Sequence, residues 1–319
     1  MTPRTNQPRP SDGVAATSLQ NALLAKPTWS THDKASWINL DAARYGTFAE
    51  IGAGQEVARW FFHVGGAAGT VAKTISAYDM ALSDALYGAT DHYVSRKRLE
   101  AMLDRESAGL VEQLGARRGG RTAFFAFADT VAARSYSRHE NGDGWLGVRF
   151  QTAPRGESSE VIIHAHLLDE DPAREQEALG VLGVNLIFGA FYHAPPELLI
   201  ASLLDGLTRD RVEVDMIKLS GPAFPGIDDR LMSLQLVEQG LTDATLLTAD
   251  GEVVQPSDVL YRRPILVERG SFRPVTWRAS VPPSIVEIIE RRSLFGHSRD
   301  DDGRASDDEE KARADLHQS

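Results

Sequence analysis

Hydrophobic positions in the first third of the chain recur at helical spacing. A helix is predicted over residues 70–86 from the apolar side chains Val71, Ile75, Tyr78, Leu82 and Leu86. A second stripe predicts a helix over Arg96–Leu114, with Ser95 as its N-cap and Gly115 as its C-terminal stop. We therefore predict a mainly helical segment over residues 31–120.

The pattern changes after the Arg- and Gly-rich turn at residues 117–121. Short apolar runs bounded by turn residues predict strands over 122–128, 145–150 and 160–167, before helical spacing returns over 172–182 and 197–207. Further along the chain, a strand, a helix and a strand are predicted over 211–219, 228–239 and 244–247, and a short strand over 265–267. This order is typical of a right-handed βαβ unit. We predict an α/β fold in which a helical N-terminal layer packs on a mixed, partly parallel sheet with a βαβ unit.

The ends of the chain differ from its body. Residues 1–30 are rich in Pro, Ser, Thr, Asn and Gln without a sustained period, which predicts a flexible arm. Residues 121–278 form an α/β segment of the same domain as 31–120 or of a second one. Residues 279–319 are predicted to hold one short helix, over 282–294, and then a disordered acidic tail.

Composition excludes several classes of function. The 319 residues include no cysteine, which excludes disulfide scaffolds, thiolate metal sites and cysteine nucleophiles. The net charge of −11 argues against a nucleic-acid partner, because such binding depends on neutralising phosphates. The longest apolar run, residues 178–192, is too short to cross a bilayer, and no secretory signal precedes the body. We expect a cytoplasmic protein with no membrane partner.

A glycine-rich turn is the best candidate for an anion site. Gly65, Gly66 and Gly69 precede the predicted helix, with Thr70 as its N-cap and Lys73 one turn further on. Free N–H groups at a helix N-terminus suit a phosphate or carboxylate. The spacing is not that of a P-loop, in which lysine directly follows the last glycine. An ordinary loop and a capped helix remain the plainer interpretation.

The predicted βαβ unit supplies a second candidate ligand site. Lys218 and Ser220 close its first strand, Asp228 and Arg230 open its helix, and residues 250–251 close its second strand. These ends would converge on one edge of a parallel pair, where open sheets bind ligands. The plainer interpretation is a turn followed by a helix cap at Asp228.

Two further features combine polar side chains with strands. Asp129 follows an apolar strand and could hold a ligand at the strand end, although a capping role is favoured. His164 and His166 would point to one face of a strand, with Asp169 near enough to complete a metal-ligand set. Spacing of two residues is weak evidence, so exposed histidines on a sheet edge are favoured and no metal site is predicted.

The Glu50–Gly54 segment resembles the first motif of Rossmann-like methyltransferases. An acidic residue precedes Gly52 and Gly54, and glycines of this kind let the backbone approach a cofactor. The dinucleotide fingerprint requires a third glycine where Val57 stands. The helix predicted over residues 70–86 also follows where a second strand should come, so a turn or close packing is favoured over cofactor binding.

Several stretches resemble a family of uncharacterised bacterial proteins. The resemblance covers roughly residues 38–276 and rests on five segments: Phe48–Phe62, Gly65–Asp79, Phe127–Tyr136, Arg230–Val237 and Gly251–Thr276. Members are variously labelled nicotinate-nucleotide adenylyltransferase or TonB-dependent receptor. The adenylyltransferase signature Gly-x-Phe-x-Pro-x-His-x-x-His is absent, and strong helices without a signal do not fit a receptor barrel. The resemblance implies one cytosolic body, shorter than its relatives, with its activity open.

These observations predict a soluble bacterial protein that binds a nucleotide or another phosphorylated small molecule. One alternative is a non-enzymatic scaffold or regulatory protein, and another is methyltransferase-like cofactor binding at Glu50–Gly54. The sequence does not specify catalytic residues, a cofactor, an oligomeric state or whether the protein is an enzyme.

Overall fold

The computed structural model describes residues 29–134, 141–193, 195–248, 252–254, 265–268, 283–292 and 294. The chain divides into two compact units, one formed by Trp29–Glu268 and the other by Met1–Thr28 with Arg269–Ser319. Residues 1–28 of the predicted arm and the whole acidic run after residue 298 lie outside the described residues.

A six-stranded mixed sheet is the centre of the larger unit. Its strands are β1 (Arg44–Ile51), β2 (Val71–Ile75), β3 (Ala123–Ala132), β4 (Gly142–Gln151), β5 (Ser158–Leu167) and β6 (Val212–Ser220). The order across the sheet is β2-β1-β3-β4-β5-β6. The first three strands in this order are parallel, and the pairs from β3 to β6 are antiparallel. The predicted α/β class with a mixed, partly parallel sheet is confirmed.

Helices cover both faces of this sheet. They are α1 (Thr31–Leu40), α2 (Glu56–His63), α3 (Met80–Tyr87), α4 (Arg96–Arg118), α5 (Pro172–Tyr192), α6 (Pro196–Ser202) and α7 (Asp229–Glu238). On one face, α4 packs against β1, β3 and β4. On the other face, α5 packs against β4 and β5 and is flanked by α1 and α2.

The apolar side chains of β3 pack against helices on both faces of the sheet, because alternate side chains of a strand point to opposite faces. The Phe125 ring packs on Phe191 of α5, with ring centroids 5.2 Å apart. Ala126 and Ala128 belong to a buried cluster with Leu99 and other side chains of α4. A strand that is buried on both faces reads as a continuous apolar run, and β3 does so.

The predicted α4 is confirmed at its start and extends further at its end. Ser95 is its N-cap, and the Arg98 N–H donates to the Ser95 hydroxyl at 3.2 Å. The helix runs past Gly115 and ends before Gly119. Gly115 does not stop the helix because its backbone stays helical and its carbonyl accepts from the Gly119 N–H at 3.0 Å.

The helix predicted over residues 70–86 is wrong in its first part. Residues Val71–Ile75 form β2, which pairs in parallel with β1, and α3 begins only at Met80 after the Asp79 cap. The β-branched side chains of this stretch suit a half-buried strand. Their spacing fits a helical period equally well, so the period alone could not distinguish the two.

The βαβ unit lies elsewhere than predicted. β1, α2 and β2 form it, whereas β7 (Ala244–Leu247) belongs to a second, three-stranded sheet with β8 (Val253–Val254) and β9 (Ile265–Glu268). The free edge of β6 is partly taken by the turn after α7, because the Val214 N–H donates to the Leu241 carbonyl at 3.1 Å. The parallel pairing of strands 211–219 and 244–247 is therefore a wrong prediction.

The described part of the smaller unit contains the predicted short helix, α8 (Pro283–Arg292), in which Ile285, Ile288 and Ile289 are buried. Among the described residues of both units, no helix is long and apolar enough to span a bilayer.

Candidate metal and ligand site

The glycine-rich turn does not open a helix. Gly65 and Gly66 have φ of +80° and +77°, and a short 3₁₀ turn over Ala67–Gly69 leads into β2. Thr70 is buried, and its hydroxyl donates to the Ile38 carbonyl at 3.3 Å. The Lys73 ammonium lies 2.6 Å from the buried Glu106 carboxylate. The helix N-terminus that motivated an anion site at Gly65–Lys73 is thus absent from this segment.

Asp129 lies inside β3 and caps no helix. The strand continues to Ala132 because Asp129 and the residues after it pair with β4. Its Oδ1 atom accepts the Ile51 N–H at 3.2 Å, and its Oδ2 atom has no hydrogen-bond partner among the described residues. Burial, and then the neighbouring Glu50 carboxylate, raise the pKa of Asp129 well above its usual range.

Glu50 is the neighbour of Asp129 across the β1–β3 pair, and both carboxyl groups are fully buried. The Val57 and Ala58 N–H groups at the start of α2 donate to its two oxygens, each at 2.9 Å. Burial raises the pKa of Glu50 to about 7 in spite of these two donors. The positive end of α2 is therefore occupied by a side chain of the protein itself.

This arrangement bears on the methyltransferase-like alternative. A strand does follow α2, so the expectation of a second helix there is wrong and the strand–glycine loop–helix–strand order is present. The loop is nevertheless closed. A Cβ atom at Gly52 would lie 1.7 Å from the Val131 carbonyl oxygen, and Glu50 already accepts two N–H groups of α2. Gly52 therefore fits close packing against β3.

Three of the predicted ligand residues do come together. Lys218, Asp228 and Arg230 line one cavity of about 530 Å³, along with Arg96, Asp229 and Glu252. Ser220 lies apart from them, in a groove that it shares with Arg149 and Glu160. The cavity lies beside the edge strand β6 and not between the two parallel strands that the sequence predicted.

The N-terminus of α7 shapes this cavity. Asp228 is its N-cap and accepts the Arg230 N–H at 3.0 Å. The same carboxylate accepts the Arg230 Nε and Nη2 groups at 2.9 and 2.8 Å, so the guanidinium is held in a fixed plane. Hydrogen bonds from Arg230 lower the pKa of Asp228. Burial raises the pKa of the adjacent Asp229.

A second cluster lies on the α4 face of the sheet. His164 and His166 are on β5, which is an interior strand, and His164 is buried. The prediction of exposed edge histidines is therefore wrong for His164. Its Nδ1 atom lies 2.8 Å from Asp215 Oδ1, and His166 Nε2 lies 3.1 Å from Asp215 Oδ2.

A β-bulge positions the Asp215 side chain. The register between β5 and β6 shifts after His164, so that Met216 faces His164 and Val214 faces Ala165. Asp215 is the extra residue of β6, and bulges of this kind re-aim one side chain. Simple alternation predicts that Asp215 points away from Met216, which is why the sequence did not indicate it.

The charges of this cluster stabilise one another. The Asp143 and Asp215 carboxylates raise the pKa of His164 to about 9, against the effect of burial. The two imidazoles hold the pKa of Asp215 well below its usual range, although burial acts in the opposite direction. Asp169, which the sequence suggested as a third ligand without predicting a metal site, pairs with Arg211 at 2.7 Å.

The cluster and the cavity are neighbours on β6. Met216 lines the cavity, faces His164 across the strand pair and follows Asp215 directly. Lys218 lies two residues further along, on the same face as Met216. The sequence did not identify Arg96 as a cavity residue or Asp143 and Asp215 as neighbours of His164. For Arg96 alone the sequence offered a signal, because it directly follows the Ser95 cap and so lies in the first turn of a predicted helix.

Comparison with known proteins adds little to these contacts. No protein-family profile matches the chain, and no curated protein matches it. Among solved structures, the competence/damage-inducible protein CihA from Agrobacterium tumefaciens aligns at 16% identity with a TM-score of 0.35, over 50% of this chain and 94% of its own. A competence or damage-inducible protein from Enterobacter asburiae aligns at 12% identity with a TM-score of 0.35, over 50% and 95% of the two chains. A CinA superfamily protein from Escherichia coli aligns at 12% identity with a TM-score of 0.32, over 49% and 87%.

Proposed function

We propose that this protein binds a nucleotide or another phosphorylated small molecule in the cavity beside β6. The observation that carries the proposal is the convergence of three cationic side chains from separate elements. Arg96 comes from the first turn of α4, Lys218 from β6 and Arg230 from the first turn of α7. Guanidinium and ammonium groups are the side chains that bind phosphate most strongly.

The carboxylates of the cavity favour a ligand with hydroxyl groups over a bare phosphate ion. Asp228, Asp229 and Glu252 line the same volume as the three cations. Carboxylates accept hydrogen bonds from ribose hydroxyls in nucleotide sites, while cations hold the phosphate. A volume of about 530 Å³ lies within the range of small-molecule pockets. A sugar phosphate or a nucleoside monophosphate fits this combination of charge and size.

This cavity is a better candidate than the glycine-rich turn. At the turn, Lys73 is already paired with a buried carboxylate, and the chain continues as a strand. At β6, Arg230 is held in one plane by Asp228, which prepares its guanidinium for a second planar partner. The N-terminus of α7 adds a partial positive charge at the same place.

Calorimetric titration tests the proposal with ribose 5-phosphate, AMP, nicotinic acid mononucleotide and inorganic phosphate as probes. The titrations contain a chelator so that metal binding does not contribute. We expect at least one organic phosphate to bind more tightly than inorganic phosphate. Lys218→Ala and Arg96→Ala should each weaken that binding about tenfold, or about 1.4 kcal/mol.

Arg59→Ala is the matched control. Arg59 is an exposed arginine of α2 that pairs with Glu56 at 3.0 Å and does not line the cavity. This variant should bind the probe as the unaltered protein does. The proposal fails if none of the four probes binds, or if Lys218→Ala and Arg96→Ala bind as tightly as the control. Failure would favour the alternative of a non-enzymatic scaffold or regulatory protein.

A further inference from the structure

We propose that His164, His166 and Asp215 form a binding site for one divalent transition-metal ion, and that zinc is the ion that fits it best. The inference concerns the cluster on the α4 face and does not rest on the proposed ligand cavity. Among the described residues, it is a group of two imidazoles and one carboxylate whose ligand atoms all lie within 4.8 Å of one another.

The donor spacing is close to that of a tetrahedral zinc site. Zinc–nitrogen and zinc–oxygen bonds of about 2.0–2.1 Å at tetrahedral angles separate two ligand atoms by roughly 3.3 Å. His164 Nδ1 and His166 Nε2 lie 2.8 and 3.1 Å from the two oxygens of Asp215. Protons occupy these short contacts when no ion is bound. A small outward movement of the Asp215 carboxylate would admit an ion between the three side chains.

The residues around His164 resemble those that hold the histidine ligands of zinc sites in place. A metal-bound histidine usually directs its other ring nitrogen toward a carboxylate, which fixes the ring and strengthens it as a ligand. His164 Nε2, the nitrogen remote from Asp215, lies 3.6 Å from Asp143 Oδ2. The ring also packs on Trp145, with centroids 4.7 Å apart. His164 is therefore oriented on two sides with its Nδ1 atom facing the cluster.

The choice of ion follows from the donor set. Imidazole nitrogens favour zinc, nickel, copper and iron, whereas magnesium and calcium prefer shells made of oxygen. The side chain of His166 is 37% exposed and that of Asp143 is 45% exposed, so one side of the cluster is open to solvent. Three protein ligands and an open position are typical of zinc sites that keep a water molecule or an exogenous ligand.

A purely structural role for the cluster is the competing explanation. In that case the two imidazoles and Asp215 form only a hydrogen-bonded ion pair that holds β5 to β6. The two explanations differ in one measurable respect. A metal site binds one ion per chain and loses that binding when a ligand side chain is removed, whereas an ion pair alone binds no ion.

Titration of the chelator-treated, tag-free full chain with Co²⁺, followed by displacement with Zn²⁺, tests the inference. The visible spectrum of Co²⁺ reports nitrogen–oxygen coordination directly, and no phosphorylated ligand is present. We expect one equivalent of Co²⁺ to bind and to be displaced by Zn²⁺. His166→Gln and Asp215→Asn should lose saturable binding, and Asp143→Asn should weaken it about tenfold, as an outer carboxylate does.

His32→Gln is the matched control. His32 is an exposed histidine of α1, and among the described ion pairs its one partner is Asp33. It should bind one equivalent as the unaltered chain does. His166 is partly exposed, so His166→Gln decides the question even if Asp215→Asn fails to fold. The inference is overturned if the unaltered chain binds no ion at a one-to-one ratio. Equal affinity in His166→Gln and in the unaltered chain also overturns it.

Discussion

Two polar clusters occupy opposite faces of the same sheet, one on β1 and β3 and the other on β5 and β6. Glu50 and Asp129 lie on the face of α2 and α5, and His164 and Asp215 lie on the face of α4. Burial disfavours the charged form of both aspartates, but their pKa values move in opposite directions. The neighbour decides: Asp129 faces another carboxylate, whereas Asp215 faces two imidazoles.

The clusters also differ in their access to solvent. The Glu50–Asp129 pair is sealed by the loop at Gly52, which packs directly on the Val131 carbonyl. The histidine cluster opens to solvent at His166. A sealed cluster can influence only stability, while an open one can exchange protons and ions with its surroundings. This difference is why we place an ion site at the second cluster and not at the first.

The largest expected effect comes from opening the sealed cluster. Gly52→Ala places a Cβ atom 1.7 Å from the Val131 oxygen at a φ of +109°, so the loop must leave β3. We expect a loss of about 3 kcal/mol or more in the free energy of unfolding, measured with urea. Gly65→Ala is the matched control, because φ there is +80° but no atom lies within 4 Å of the new Cβ. A loss as small as that of the control would contradict the close packing.

Removing one carboxyl group from each cluster should have unequal effects. At pH 6, Asp215→Asn leaves the buried His164 imidazolium with only the more distant Asp143 carboxylate and should cost about 3 kcal/mol in unfolding free energy. At pH 10 the cost should shrink, because His164 is then neutral in both proteins. Asp129→Asn removes a carboxyl group whose neutral form burial already favours, and should change stability by about 1 kcal/mol or less at pH 6. Equal losses in the two variants would refute the opposite charge states.

The pH dependence of stability should show two separate windows. Folded Glu50 keeps its proton up to about pH 7 and the unfolded side chain only to about 4.5, so stability should fall as pH rises between these values. Folded His164 keeps its proton up to about pH 9 and the unfolded side chain only to about 6.5, so a second fall should follow. Each window should be on the order of 3 kcal/mol.

Urea unfolding at a series of pH values measures both windows. Glu50→Gln should reduce the lower window, to which the raised pKa of Asp129 still contributes, and leave the upper one. His164→Asn should remove the upper window and leave the lower one. Asp215 adds a third change with the opposite sign, because its pKa is lowered on folding. Stability should therefore also fall as the pH drops below about 4. A single window, or one that both variants remove, would show that the clusters are not independent.

The smallest expected effect concerns Lys73, which lies outside both clusters. Its ammonium pairs with Glu106 but is half exposed, and Glu106 keeps the Tyr87 hydroxyl as a donor at 3.1 Å. Lys73→Ala should cost about 0.5–1 kcal/mol by urea unfolding and leave calorimetric phosphate binding unchanged. Lys97→Ala, at an exposed position of α4, is the control. Loss of phosphate binding in Lys73→Ala alone would return the ligand site to the glycine-rich turn.

The sequence predicted the antiparallel part of the sheet well and the parallel part poorly. β3, β4 and β5 follow one another closely along the chain, and the apolar runs or alternation of β3 to β6 predicted strands. β1 is buried over most of its length and contains Gly46, against which the Phe125 ring packs. Neither feature gives the alternation of apolar and polar residues that is typical of a strand, so residues 44–51 were not identified as one.

Site prediction failed for a related reason. The two-residue spacing correctly placed His164 and His166 on one face, because both contact Asp215. The third residue of the cluster depends on a bulge, which changes the register without changing the apparent alternation of the strand. Lys218, Asp228 and Arg230 were grouped correctly, although the cavity lies beside an edge strand. Local patterns predicted which residues share a face of one strand or one end of a helix. Which residues of different strands meet depends on the register between the strands, and the sequence pattern does not show that register.

The pairing of β1 with β3 has a consequence for how the chain folds. It joins Glu50 to Asp129, residues 79 positions apart, whereas β3, β4 and β5 are connected by short loops. The antiparallel strands can associate early, and closing the long loop to admit β1 must come later. Until that step both carboxyl groups are ionised at neutral pH, so the arrival of β1 takes up protons from solution. Refolding of this protein should therefore slow as the pH is raised through 7, and a pH indicator dye should record the proton uptake in step with the late phase.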